Sequence, residues 1–216
     1  PNSKTYGDAD PNPLTTGSGN FVAGDNVTAT YSRVAGETVL GGAYHITATL
    51  APAGVLSNYS ITNAGADFTI NTRPATRTTN PNSKTYGNAD PVPLTTGSGS
   101  NFVSGDGVTA NYSRAAGETV AGGPYHITAT LSPTGVLSNY SITNNGANFT
   151  INRAHLTVTA ANKSKAYDGN PFTAFTVTIT GFKFMDTIAV VSGSATYTGS
   201  AVGATLPGTY TITPQQ

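Results

Sequence analysis

The sequence predicts an all-β protein made of tandem small antiparallel β domains, each an immunoglobulin-like sandwich or a β-grasp-like sheet, arranged end to end as a rod. Three observations predict it. The chain repeats itself at intervals of about 80 residues; apolar and polar side chains alternate with period two inside each repeat; and turn-forming residues punctuate the alternating runs. No stretch sustains a 3.6-residue period, so no helix is long enough to cover a sheet, which favours the sandwich.

The repeat is read directly. Asn2-Ser3-Lys4-Thr5-Tyr6-Gly7 returns as Asn82-Ser83-Lys84-Thr85-Tyr86-Gly87, and after a one-residue insertion near Ser100, Tyr44 to Leu50 returns as Tyr125 to Leu131. A diverged third copy carries Lys163-Ser164-Lys165-Ala166-Tyr167-Asp168-Gly169 and Gly208-Thr209-Tyr210-Thr211-Ile212. A unit of this length exceeds solenoid repeats and suits an independent small domain. The expected domains are residues 1–72, 73–152 and 153–216. The first lacks its first strand and the third its last strands, and such edges invite fraying or completion by a neighbour.

Each element follows from its pattern. Val27, Ala29 and Tyr31 alternate with Thr28, Thr30 and Ser32, and Tyr44, Ile46, Ala48 and Leu50 alternate with His45, Thr47 and Thr49. Both runs read as half-buried strands, with Thr outward because its branched Cβ fits the pleat while its hydroxyl stays wet. Tyr59 with Ile61, Phe68 with Ile70, and Phe175, Val177 and Ile179 repeat the arrangement. Gly17-Ser18-Gly19, Ala23-Gly24-Asp25-Asn26, Gly41-Gly42 and Asn63-Ala64-Gly65 supply the turns. A short helical turn is expected near Phe21 to Asp25. Of the two linkers, Arg73-Pro74-Ala75-Thr76-Arg77 carries Pro and charges where the other has Ala154-His155-Leu156-Thr157-Val158, so its strand is expected to be the weaker.

Composition narrows the function. Only 9% of residues are charged while 37% are hydrophobic, too apolar for a disordered tail. Ten basic residues balance ten acidic ones, leaving no net field to hold nucleic acid. No Cys is present, which removes disulfides, Cys-based zinc sites and Cys nucleophiles. No apolar run reaches the length of a membrane span, and Pro1-Asn2-Ser3-Lys4 has no signal-peptide core, so the chain is expected to be an internal excerpt without membrane insertion.

The residues Lys4-Thr5-Tyr6-Gly7-Asp8, Val34-Ala35-Gly36-Glu37-Thr38-Val39, Asn58-Tyr59-Ser60-Ile61 and Phe68-Thr69-Ile70 resemble the MBG-type (YGX) bacterial repeat domains. In the third copy, Lys165-Ala166-Tyr167-Asp168-Gly169-Asn170, with Ala201-Val202-Gly203, looks like the related YDG-type repeat. The resemblance implies long arrays in large extracellular or surface adhesin-like bacterial proteins, and it brings no catalytic residue, cofactor-binding residue or metal ligand with it.

Candidate chemistry is sparse. His45 and His126 point outward from equivalent strand positions and His155 stands apart, which fits a solvated face. Asp8 and Asp10, with Asn88 and Asp90, could offer oxygens to Ca²⁺, the one cofactor these loops suggest, although they read as turn residues before Pro11 and Pro91. Asp25, Asp106 and Asp186 recur without a second recurring acid or base, so they read as turn caps rather than catalytic carboxylates. Lys4, Lys84 and Lys165, with Glu37 and Glu118 in the first two copies and no matching Glu in the third, have the residue types of an isopeptide crosslink but read as exposed charges at strand ends. Tyr31 and Tyr44 are in phase with the core, while Tyr6 and Tyr86 are expected to be exposed and available to stack on a sugar. The expected function is a non-catalytic spacer or stalk whose partners are neighbouring repeats of the same long chain; the alternative is weak multivalent binding of a host or matrix glycan or protein.

Overall fold

A computed structural model describes residues 2–215. They gather into two compact units. One holds the chain up to Pro81 together with Pro93–Ala115 and His126–Asn148, and the other holds Asn82–Val92, Ala116–Tyr125 and the chain from Phe149 onward. The second repeat therefore contributes to both.

In the first unit, β1 (Asn2–Thr5), β2 (Thr28–Arg33), β3 (Tyr44–Ala51) and β4 (Ala66–Asn71) form one sheet in the order β1-β4-β3-β2. The period-two pattern sets what it buries: Tyr44, Ile46, Phe68 and Ile70 point into one core, while His45, Thr47 and Thr49 stay exposed. Each fully buried Ile or Phe stabilises the sheet by about 1.5–3 kcal/mol. After β3 the chain makes one helical turn, α1 (Ala53–Leu56), entered through Pro52. A Pro-led tetrapeptide is too short to show a helical period, so the sequence pattern does not reveal it.

The linker expected to be weak instead forms β5 (Arg73–Thr79). β6 (Asn82–Thr85) belongs to the second unit; β7 (Gly97–Ser100) and β8 (Thr109–Arg114) return to the first. They are followed by β9 (Tyr125–Ser132), α2 (Thr134–Leu137) and β10 (Tyr140–Asn144). β5 lies between β10 and β7, parallel to the first with Ala75 opposite Ile142 and antiparallel to the second with Thr79 opposite Gly97. Ala75 and Thr79 are buried and Pro74 faces out. Arg77 turns inward between them, its guanidinium 5.5 Å from the centre of the Tyr112 ring. Inward positions with small or long-stemmed side chains and a partner on each edge outweigh the cost of one outward Pro.

The second unit holds β6 and the body of β11 (Ala147–Asn152), with Asn82 opposite Phe149 and Lys84 opposite Ile151. Two antiparallel pairs complete it: β12 (Thr157–Ala160) with β13 (Val177–Thr180), and β14 (Thr196–Thr198) with β15 (Thr213–Gln215). β12, expected to be the stronger linker strand, is the shorter one and pairs on one edge.

The all-β class holds, but the sheets are mixed rather than purely antiparallel. β1 with β4, β5 with β10, and β6 with β11 run parallel. Parallel neighbours need a crossover connection, and alternation along a strand fixes its face without fixing its direction.

Candidate functional site

The recurring aspartates and tyrosines meet. After β1 the chain turns at Tyr6-Gly7, where the Tyr6 amide donates to the Asn71 carbonyl at 2.9 Å and Gly7 adopts a φ of +81°. A Cβ on Gly7 would lie 2.5 Å from Val103, so glycine permits both the turn and its close approach. This seats the Tyr6 hydroxyl against Asp106, donating to its two carboxylate oxygens at 3.0 Å each. Tyr140 donates to the same carboxylate and accepts the Val103 amide at 3.0 Å. The Tyr6 and Tyr140 rings meet edge to face, 5.4 Å apart at 77°, a favoured aromatic geometry.

Two further residues of the second repeat hold the first here. Arg73 donates through Nε to the Tyr6 carbonyl at 2.6 Å and pairs with Asp8. Asn139, 3% exposed, accepts the Val39 amide at 2.9 Å. Burial and Asp106 both push the Tyr6 phenol up, and the same causes push Tyr140 up to about 12. Both phenols remain neutral donors at neutral pH, so the arrangement is a latch.

The second unit repeats the device. Tyr86 donates to Asp186 at 3.0 Å, and its ring meets Phe184 edge to face at 5.3 Å. Asp106 and Asp186 each stand 100 residues beyond their tyrosine. The turn-cap reading of the aspartates and the exposed reading of Tyr6 and Tyr86 are corrected together, since both side chains are half-buried and paired. The signal lies in two polar residue types recurring at a constant offset, the aspartate that each latch tyrosine meets belonging to the following repeat.

The lysines are also corrected. The Lys4 side chain is 5% exposed and pairs with Asp10 at 2.8 Å and with Glu37, while Lys84 pairs with Asp90 at 2.7 Å and with Glu118. Arg33 forms a fork on Asp10, at 2.7 and 2.9 Å, and lies 5.0 Å from the centre of the Phe68 ring. Hydrogen bonds from Arg33, and from Lys4 beside it, hold the Asp10 carboxyl down at about 2. For Lys4, burial alone would lower the pKa, but Asp10 and Glu37 outweigh it and raise it. Lys4 and Lys84 are thus buried members of a charge cluster, while Glu37 and Glu118 remain exposed as expected.

Asp8 and Asp10, the residues suggested for Ca²⁺, face Arg73 and the Lys4–Arg33 pair respectively. No group of three His, Asp or Glu side chains gathers for a metal among the described residues. His45, His126 and His155 are exposed.

A chain of tandem all-β repeats, latched from one to the next by a tyrosine and an aspartate, defines the class. A family model described as MBG domain (YGX type) matches residues 1–69, 75–150 and 156–216, and the chain belongs to that family. The same model covers the third repeat, whose opening motif resembles the YDG type. Comparison with curated proteins and with solved structures found no match. No helix among the described residues is long and apolar enough to cross a membrane.

Proposed function

We propose that these repeats are non-catalytic spacers of a bacterial surface or secreted adhesin, holding an adhesive part away from its anchor. One observation carries the reading: the Tyr-to-Asp latch links a repeat to its successor twice, at the same spacing of 100 residues. A spacer must transmit geometry from one repeat to the next, and a directed hydrogen bond to a charged acceptor, backed by ring packing, fixes orientation better than apolar contact alone. The family's arrays and the balanced charge fit the same role outside the cell. Tyr6 and Tyr86, the side chains otherwise available to stack on a sugar, are engaged in the latches, which favours the spacer over glycan binding.

Small-angle scattering on the whole chain tests it. If the spacer reading holds, three domains each about one strand-length long give a maximum dimension of about 100 Å, and the paired variant Tyr6→Phe with Tyr86→Phe should broaden the distribution of lengths. A compact particle that the variant leaves unchanged rejects the spacer.

A further inference from the structure

The two phenols of the first latch share more than a neighbourhood. The rings of Tyr6 and Tyr140 meet at 5.4 Å, and both hydroxyls donate to Oδ2 of Asp106, so the hydroxyl-bearing ends of the rings lie no more than two hydrogen-bond lengths apart. Phenols couple oxidatively at the ring carbons beside the hydroxyl, and the shared carboxylate draws those carbons together. Tyr6 is half-buried and open to a small oxidant, while Tyr140 is 7% exposed and reached through Tyr6. Tyr59, Tyr86 and Tyr197 each meet a phenylalanine, which does not couple in this way.

Composition directs oxidation to these rings. The chain has no Cys, no Trp and one Met, so the thiols and indoles that one-electron oxidants attack first are absent. Met185, 95% exposed in the third repeat, is instead a target for two-electron oxidation to the sulfoxide. Without Cys, no disulfide can tie one repeat to the next.

We propose that Tyr6 and Tyr140 form an oxidative modification site, at which a one-electron oxidant joins the two rings by a carbon–carbon bond and ties repeat 1 covalently to repeat 2. The oxidant, of the class that a haem peroxidase makes from hydrogen peroxide, takes one electron from Tyr6, and the phenolic proton passes to Asp106 along the existing hydrogen bond. Tyr140 then gives its electron to the Tyr6 radical and its proton to Asp106, which returns the first proton to Tyr6. A second oxidation of Tyr6 leaves two radicals in contact. They couple at the carbons beside their hydroxyls, and each ring moves the hydrogen of that carbon to its oxygen, restoring two phenols. In sum, two electrons go to the oxidant, two protons go to solvent, and the chain loses two hydrogen atoms. Burial and Asp106 keep both phenols protonated beforehand, so Asp106 is the positioned proton acceptor. The inference does not rest on the spacer reading, because its product is read chemically and not by length.

The test illuminates the whole folded chain at low concentration with a ruthenium tris-bipyridyl complex and persulfate, then measures dityrosine fluorescence and maps linked peptides by mass spectrometry. A peptide pair joined through Tyr6 and Tyr140, lighter by two hydrogens, is expected at a yield independent of chain concentration. Tyr6→Phe should abolish the pair and most of the fluorescence, whereas Tyr86→Phe should leave both unchanged. Asp106→Asn, which keeps an acceptor but is a far weaker base, should slow the coupling several-fold. In urea, where 11 tyrosines meet at random, the Tyr6–Tyr140 pair should lose its dominance. The proposal is overturned if Tyr6 is hydroxylated without being linked, or if Tyr6→Phe and Tyr86→Phe lower the fluorescence equally. A link that forms only between molecules, a wild-type rate in Asp106→Asn, or a pair as frequent in urea as in the folded chain overturns it as well.

Discussion

Asp106 accepts from Tyr6 in one repeat and from Tyr140 in the next, so its truncation leaves two half-buried or buried phenols without their acceptor. Asp106→Ala is therefore expected to cost about 3 kcal/mol in urea unfolding, and Tyr6→Phe, which keeps the ring packing, about 1–2 kcal/mol. The tyrosines also predict a pH dependence. The folded pKa of Tyr140, about 12, lies above its unfolded value, so its contribution is complete below about pH 10 and is lost as pH rises through 12. Absorbance titration should show a late-ionising phenol that Asp106→Ala shifts earlier. At the acid end the sign reverses. Asp10 titrates near 2 when folded, below its unfolded value of about 3.9, so its contribution is present above about pH 4 and is lost as pH falls toward 2. The urea midpoint should fall between pH 5 and 2.5, and less so in Arg33→Met, which removes the main cause of the shift.

At the scale of the element, the hexapeptide that Asn58–Asn63 shares with Asn139–Asn144 separates what a sequence fixes locally from what a partner imposes. Alternation placed β2, β3, β4 and β13 on their correct faces, because a half-buried strand repeats every second residue whatever lies beside it. The same reasoning makes Tyr59 and Ile61 a strand in repeat 1, where the structure has none, since alternation marks a face but a strand also requires a hydrogen-bonded neighbour. It also undervalued β5, whose Pro and two arginines argue locally against a strand while its two edges decide the matter. The latch is hard to read for a related reason: the tyrosine and aspartate recur visibly, but the halves of one latch are 100 residues apart. Amide exchange checks this account without any substitution. The local sequences are identical, so intrinsic exchange is matched, and Ser141–Asn144 should exchange at least about tenfold more slowly than Ser60–Asn63. Gly97→Val should erase the difference, because a Cβ there would lie 2.2 Å from the Thr78 carbonyl oxygen and push β5 away.

Across the whole molecule, burial is uneven in a way that orders the unfolding. The buried apolar residues run from Tyr44 to Ile151, and none among the described residues lies beyond it. In the third repeat Met185 is 95% exposed, with Ile188, Val190 and Leu206 also well exposed. A segment that buries so little apolar surface has little to set against the entropy of ordering its chain, so it opens at lower free energy than a repeat with a closed core. What ties it down includes the latch of Tyr86 to Asp186 and the packing of Tyr86 on Phe184. Limited proteolysis of the intact chain is therefore expected to cut first between residues 161 and 212, leaving a product that ends soon after β11. Tyr86→Ala, which removes both the hydrogen bond and the ring, should speed that first cut several-fold, whereas Tyr6→Ala should leave its rate unchanged while lowering the stability of the remaining product. Equal acceleration by both variants would mean that the repeats open as one cooperative body, and the latches would then contribute global stability rather than nearest-neighbour coupling.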